Sequence, residues 1–433
     1  MNAVILAGGK GTRLVPHIGN IPKALVKIGQ KTVIEHQLSL LKRYGFKEVW
    51  ILLGFLGNQV KEHLKNGAKE KIEIHYLQEE TPLGTAGALR QLKNDIKEDF
   101  LLFSGDIMMN FDIPRFVHWH RLRKESIASL VVHPNDHPFD SDMVEINDTG
   151  KIVSLLKRPH PPEKTFRNLS IASVFILSPK IFKYIPAGRK TDFEKDILPV
   201  VLETNKKVFG YNTPEYLKDL GTPERLKKVR SDYASGKIKK LCLENKIKAI
   251  FLDRDGVISH EVGQLCKLKD LKIYSFVSKA IRKINDSGYL AILITNQPMI
   301  AKGFMTQHDL KEIHNKLETE LGRDGAKLDA IYYCPHHPEK GFAGEVPELK
   351  IKCDCRKPGT GLIMKARNEF NLDLKKSYFV GDQTSDILAG RESGCRTILV
   401  KTGYGGKDGA YPAKPDFFVR NLLEAVNVIP EIE

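Results

Sequence analysis

Short runs rich in Val, Ile, Leu and Phe alternate with amphipathic stretches along the whole chain, and they do so in two separate series. The first runs through AVILA, EVWILLG, KIEIHYL, FLLFSGD, ASLVVHP and ASVFILS; the second runs through KAIFLD, LAILITN, AIYYCP, SYFVGD and RTILVKTG. Apolar runs of strand length separated by helical patterns read as strands covered by helices, so each series predicts its own α/β fold, the second on a parallel sheet. Between the two lies RLKKVRSDYASGKIKKLCLENKIK, first a helical pattern and then a Ser-Gly and lysine-rich connector. The expected organisation is one domain over residues 1–236, a linker over 237–246 and a second domain over 247–433.

At 433 residues the chain is long for a single core, and 41% hydrophobic with 28% charged residues supports globular burial rather than disorder. The net charge of +15 suits anionic ligands, but the lysines and arginines are scattered and no nucleic-acid signature occurs. The basic excess reads as a solvated surface, and nucleic acid is not an expected partner. The apolar stretch from Ala3 to Ala7 is too short for a secretory core segment, and no run approaches a membrane span. The six cysteines therefore read as thiols or metal ligands, and the expected compartment is the cytoplasm. Oligomeric state is not legible.

In VILAGGKGTRL a strand runs into Gly8, Gly9 and Gly11, whose missing side chains let backbone N–H groups approach an anion, with Lys10 and Arg13 adding positive charge. The loop is neither a Walker loop nor a dinucleotide fingerprint, because Leu14 occupies the third glycine position of the latter. LAGGKGTRL, PKALVKIGQK, PLGTAGAL, FSGD and KDLGTPE occur in the order found in sugar-phosphate nucleotidyltransferases, and the first half resembles that family. The resemblance implies a Rossmann-like fold. It implies a triphosphate loop over Gly8, Gly9, Lys10, Gly11, Thr12 and Arg13, with Lys23 beside the reacting phosphate and base contacts at Gly84, Thr85 and Gln78. Asp106 and Asp219 resemble the family's Mg²⁺-binding aspartates. The reaction is in-line attack of a sugar 1-phosphate on the α-phosphate of a nucleoside triphosphate, carried by positioning and charge neutralisation. Many members read Glu-Lys-Pro where this chain has Lys157-Arg158-Pro159, so Arg158 stands in for the lysine; where they read Asn-Ala-Gly it has Ile171-Ala172-Ser173.

AIFLDRDGVIS sets an apolar run against two aspartates. Strand alternation sets Asp253 and Asp255 on one face and Arg254 on the other until Gly256 breaks the pattern, two like charges that suit a hard cation at the carboxyl edge of a sheet. Downstream, LAILITNQ ends at Thr295 and Asn296, CRKPG carries Arg356 and Lys357, and SYFVGDQTSD ends with Asp382 and Asp386. This set resembles the haloacid-dehalogenase superfamily. The resemblance implies Asp253 as nucleophile, Asp255 as acid and then base, and Thr295 and Lys357 on the phosphoryl oxygens. Mg²⁺ would lie between Asp253, the Asp255 carbonyl and Asp382, with Asn296 and Arg356 as substrate contacts. About forty residues separate Asp255 from Thr295, too few for a large cap.

CPHHPEKG and IKCDCRKPG supply Cys334, His336, Cys353 and Cys355, four ligands that would close a tetrahedral, structural Zn²⁺ site, with His337 a bystander and Cys242, Cys266 and Cys395 ordinary thiols. DRDGVI, TNQ, CPHHP and CDCRKPG together resemble the heptose 1,7-bisphosphate phosphatase branch, whose relatives act on histidinol phosphate. Pro298-Met299 replaces that branch's Ser-Gly, and Gln383 replaces a lysine. Joined, the halves imply loss of the 7-phosphate from a heptose bisphosphate and coupling of the remaining 1-phosphate to a nucleotide, GTP first and ATP next. A histidinol-phosphate-like phosphatase fused to a hexose 1-phosphate nucleotidyltransferase is the alternative. A regulatory or nucleic-acid-binding protein on inactive domains would lack the acids that are present.

Overall fold

The computed structural model describes the chain apart from residues 10–13, 55, 80, 205–206, 413, 431 and 433. It separates into two compact units, one comprising Met1–Val132, Val144–Leu155 and Ile171–Cys242, the other His133–Met143, Leu156–Ser170 and Leu243–Glu433. The main break between Cys242 and Leu243 lies inside the lysine-rich connector. Among the described residues no helix is long and apolar enough to cross a membrane.

The first unit is built on strands β1 (Ala3–Ala7), β2 (Glu48–Leu53), β3 (Glu73–Gln78), β4 (Phe100–Ser104), β5 (Ile107–Asn110), β6 (Ala128–His133), β7 (Met143–Ile146), β8 (Ile152–Leu156), β9 (Ser170–Leu177), β10 (Val208–Asn212) and β11 (Tyr216–Asp219). Its nine-stranded sheet has the path β8-β7-β9-β4-β1-β2-β3, with β6 beside β9 and β10 beside β6. The apolar runs plain in the sequence form the parallel strands β4, β1, β2 and β3 together with β6 and β9, and β9 joins β4 antiparallel. Strands β5, β7, β8, β10 and β11 carry no such run, because several are short or half-exposed and need a partner strand rather than a buried face. β5 and β11 form a separate antiparallel ribbon. Helix α1 (Val33–Arg43) starts in a capping box of Thr32 and Glu35 and packs its Ile34, Leu38 and Leu41 face into the core.

The second unit holds β12 (Ala249–Leu252), β13 (Leu290–Asn296), β14 (Ala330–Cys334), β15 (Tyr378–Gly381), β16 (Arg396–Val400) and β17 (Phe417–Val419), paired in the order β14-β13-β12-β15-β16-β17 and parallel throughout. β12 is buried on every residue, which explains its unbroken apolar run. Residues 256–276 contain a short helical turn at Leu268–Asp270 and isolated bridges at Ser259 and Ile273, too little for a cap domain between β12 and β13.

Residues 133–143 and 156–170 belong to this unit although the sequence assigned them to the first half. They pack on helix α2 (Gln307–Arg323). The Thr319 hydroxyl accepts from the buried Phe166 N–H at 2.9 Å, Pro138 lies where a Cβ on Gly322 would go, and Arg323 covers the Phe139 ring at 5.5 Å. Thr319→Val strands the Phe166 N–H without a partner, a loss of about 1–3 kcal/mol. The expected result is a thermal midpoint for this unit lower by about 2–4 °C per kcal/mol lost, read by the decay of its secondary structure on heating.

Candidate active sites

β12 stops at Leu252, and Asp253 leaves the sheet with its N–H donated to Val380 O at 3.1 Å. β15 stops at Gly381 and delivers Asp382 alongside, while Asp386 comes from the first turn of helix α3 (Thr384–Glu392), where it and Gln383 cap each other. One oxygen from each of Asp253, Asp382 and Asp386 lies within 4.8 Å of the others, all three side chains buried. Lys357 Nζ sits among them, 2.8 Å from Asp253 Oδ1 and 2.6 Å from Asp386 Oδ1, and donates to Ile294 O at 3.0 Å. Three carboxylates face one ammonium. Burial drives the Asp253 and Asp382 carboxyls above their ordinary range, with Asp386 adding repulsion and Lys357 opposing the shift. Burial works against the Lys357 charge too, but Asp253 and Asp386 outweigh it and raise that group to about 12.

Asp382 Oδ2 accepts from the Tyr404 N–H at 2.7 Å, whereas its buried Oδ1 has no hydrogen-bond partner among the described residues. Gly256 (φ 80°) and Gly403 (φ 65°) leave the room that the Asp382 carboxylate fills; a Cβ at either would strike it. An orphaned oxygen, excess negative charge and an all-oxygen donor set fit a hard divalent cation held by Asp253, Asp382 and Asp386.

Asp255 departs from the expected arrangement. Because the strand ends before Asp253, the two-residue alternation does not carry through, and Arg254 turns onto Asp255 instead of the opposite face: Nε reaches Oδ1 at 3.0 Å and Nη2 reaches Oδ2 at 2.7 Å. Ser259 donates to Oδ1 at 3.0 Å. Burial would raise this carboxyl, yet the Arg254 guanidinium and these hydrogen bonds hold it low. Its carboxylate is therefore not in the acid cluster, which takes Asp386 in its place. Arg254 is itself buried and donates to Gln297 Oε1 at 3.0 Å.

Thr295, one residue before the end of β13, is buried, its hydroxyl accepting from Gln297 Nε2 at 2.9 Å. Asn296 clamps the Lys357 loop, its Oδ1 accepting from the Lys357 N–H at 3.0 Å and its Nδ2 donating to the Lys357 carbonyl at 3.1 Å. A cavity of about 140 Å³ opens over these groups, with Asp253, Asp255, Thr295, Arg356 and Lys357 in its wall. Glu261 and Tyr404 also line it; the sequence offered no motif for either.

The four proposed zinc ligands converge. Cys355 Sγ lies 3.1 Å from Cys334 Sγ, 3.2 Å from Cys353 Sγ and 3.1 Å from His336 Nδ1, and Cys334 Sγ lies 3.5 Å from Cys353 Sγ and 3.7 Å from His336 Nδ1. All six cysteines are free thiols. A tetrahedron of four ligands at about 2.0–2.3 Å has edges of similar size, so the set fits Zn²⁺. His337 stands outside it, edge-on to Phe342.

In the first unit, Gly8 follows β1, and its backbone lies so close to Gly54 that a Cβ on Gly54 would meet Gly8 O at 2.8 Å. Gly9 is exposed with open space around it. Lys10, Gly11, Thr12 and Arg13 lie outside the described residues. Asp106 sits in the turn between β4 and β5, where Lys23 Nζ meets its Oδ2 at 2.8 Å and the Ser104 hydroxyl its Oδ1 at 2.6 Å. The β5–β11 register sets Asp219 opposite Ile107, which brings the two acids to neighbouring places. Arg225 Nη1 lies 2.9 Å from both oxygens of Asp219. Two carboxylates, each neutralised by a cation, are hard donors that fit Mg²⁺ in exchange for those partners.

Gly84 (φ 74°) lies against the Thr191 carbonyl, and the Thr85 hydroxyl donates to Asp192 Oδ2 at 3.1 Å and accepts from the Phe193 N–H at 2.8 Å. Gln78 is exposed at the end of β3. Arg158 belongs to the other unit: it lies in 156–170 and pairs with Asp140 Oδ1 at 2.9 Å, so it is not among the groups that the first unit gathers. Ser173, in place of a family glycine, adopts φ 50°, and its hydroxyl is bonded to Glu194.

Residues 2–236 match the nucleotidyl transferase family and residues 354–425 the HAD-hydrolase-like family. The D-glycero-alpha-D-manno-heptose-1,7-bisphosphate 7-phosphatase of Photorhabdus laumondii is 44% identical over 161 residues, covering 37% of this chain and 86% of that protein. The D-glycero-D-manno-heptose-1,7-bisphosphate 7-phosphatase of Thermosynechococcus vestitus is 38% identical over 188 residues, 42% of this chain and 94% of that protein. Among solved structures, HddC from Yersinia pseudotuberculosis aligns at 25% identity with a TM-score of 0.46, covering 54% of this chain and 99% of that one. The chain thus belongs to the nucleotidyl transferase family through its first half and to the phosphatase family of these relatives through its second, and is a bifunctional enzyme.

Proposed function

We propose that the enzyme removes the 7-phosphate of D-glycero-D-manno-heptose 1,7-bisphosphate and joins the resulting heptose 1-phosphate to the nucleotidyl group of GTP, releasing pyrophosphate, in the cytoplasm. The observation that carries the reading is the buried trio Asp253, Asp382 and Asp386 around Lys357 beneath a cavity, in a half whose relatives carry the name of this phosphatase. The first half must keep the anomeric phosphate as its nucleophile, so the second must spare it. GTP is proposed on resemblance to nucleotidyltransferases of heptose phosphates.

In the second unit Asp253 attacks phosphorus, the bond from phosphorus to the sugar oxygen breaks, and Asp255 supplies that oxygen's proton. Arg254 keeps the Asp255 carboxyl low in the resting protein, so an incoming phosphate charge is needed to raise its proton affinity. Asp255 then takes a proton from the water that hydrolyses the aspartyl phosphate, restoring Asp253. Lys357 and Thr295 hold phosphoryl oxygens, and Arg356 faces the sugar. Mg²⁺ held by Asp253, Asp382, Asp386 and the Asp255 carbonyl supplies neutralisation of phosphoryl charge. In the first unit Gly8 to Arg13 hold the triphosphate, Gln78, Gly84 and Thr85 the base, and Lys23 the α-phosphate. The sugar phosphate oxygen bonds to the α-phosphorus as the bond to pyrophosphate breaks. Mg²⁺ at Asp106 and Asp219 supplies charge neutralisation there as well. Zn²⁺ on Cys334, His336, Cys353 and Cys355 pins the loop that carries Arg356 and Lys357.

Mass spectrometry of products from each anomer of the bisphosphate, with each nucleoside triphosphate in turn, tests the reading; a GDP-heptose of one anomer is expected, and a product only from ATP or from a hexose phosphate overturns it. Asp253→Asn should lower phosphate release by at least about 10³-fold, whereas Asp106→Ala should abolish the nucleotide sugar with phosphate release intact.

Stability should report the acid cluster independently. Raised carboxyls bind more protons folded than unfolded, so without divalent cation the second unit loses stability as pH climbs above the ordinary carboxylate range. Its thermal midpoint should fall between about pH 5 and about pH 8, and added Mg²⁺ should raise it more at the higher pH.

Cys353→Ser should reduce bound zinc from about one ion per chain, measured by elemental analysis, and lower the midpoint of the same unit.

A further inference from the structure

Gln37 is a polar residue on the buried face of α1, 1% exposed. Its Nε2 donates to two carbonyls at once, Ser104 O at 3.0 Å and Ile107 O at 2.8 Å. Because both partners only accept, the amide nitrogen must face them, and Oε1 is left buried with no partner among the described residues. An amide that leaves its own oxygen unmatched is a costly choice for a core that an apolar side chain would fill.

The two carbonyls bracket Gly105 and Asp106. The rest of that turn is fixed from other directions: the Gly105 N–H donates to Leu6 O at 2.9 Å, and the Leu220 N–H donates to Asp106 O at 3.0 Å from the strand that carries Asp219. Among the described residues the hydrogen bonds of Gln37 go to these two carbonyls and not to Lys23 or the carboxylates, so it bridges both ends of the four-residue turn on which Asp106 rides.

We propose that Gln37 is a positioning residue for nucleotidyl transfer, holding the Asp106 turn so that its carboxylate and that of Asp219 share one divalent cation. The inference rests on the metal-binding role proposed above for these two acids. Groups that orient metal ligands change metal affinity by about 10–100-fold when removed, without supplying a ligand themselves.

Gln37→Met keeps the shape and loses both donors; Gln37→Glu keeps the shape and places a carboxylate against two carbonyls. In the full chain, the Mg²⁺ concentration for half-maximal pyrophosphate release should rise at least about tenfold in both, with turnover at saturating Mg²⁺ within about threefold of the parent. Hydrogen–deuterium exchange at residues 104–107, followed during Mg²⁺ titration with GTP present, should show the same displaced midpoint. Turnover at saturating Mg²⁺ close to the parent's reports that the first unit, which holds Gln37, is folded, and unchanged phosphate release reports the same of the second. A Mg²⁺ midpoint within about twofold of the parent, by either readout, overturns the proposal. Asp106→Ala separates the two claims: if it leaves nucleotidyl transfer intact, the metal assignment itself fails, and if it abolishes transfer while the Gln37 variants keep the parent midpoint, only the positioning role fails.

Discussion

Buried negative charge at the carboxyl ends of parallel strands is the constraint on which the second unit turns. β12 and β15 are neighbours running the same way, so the residues that leave them, Asp253 and Asp382, cannot avoid one another. A sheet of one direction throughout gathers its strand ends at one edge, and there the chain accepts electrostatic repulsion among carboxylates whose chemistry suits a hard cation. Lys357 offsets part of that repulsion and is locked in turn: Asn296 at the end of the next strand holds its backbone on both sides. Gly256 and Gly403 yield their side-chain space to Asp382.

The first unit handles like chemistry with less burial. Lys23 and Asp106 are about one-fifth exposed, and Asp219 more so. Their proximity comes from the small antiparallel ribbon of β5 and β11, supported from beneath by α1. The condensation proposed there, between two large anionic substrates, needs a cleft open to both and countercharges that can exchange onto them.

The strands that were plain in the sequence, such as Ala3–Ala7, Phe100–Ser104 and Leu290–Asn296, are those buried on both faces, where composition and structure obey the same demand. The convergence of Cys334, His336, Cys353 and Cys355 was legible for a related reason: thiols and imidazole at close spacing in a chain expected to keep its cysteines reduced have few other uses than to meet. Sequence neighbourhood says nothing of which core a surface excursion joins: residues 156–170, which carry Arg158, leave the first unit's strands and pack on α2.

The sequence by itself determined two α/β units, the residue types at each strand end and the set Cys334, His336, Cys353 and Cys355, since periodicity, apolar runs and residue spacing are local properties. Only the tertiary structure decided which acids meet. Strand β12 ends one residue before Asp253, and that turns Arg254 onto Asp255 and leaves the third place in the cluster to Asp386 from the helix that begins at Thr384. A side chain's direction at the end of a strand is set by hydrogen bonds to other elements rather than by the alternation within its own, and those partners exist only once the chain has folded.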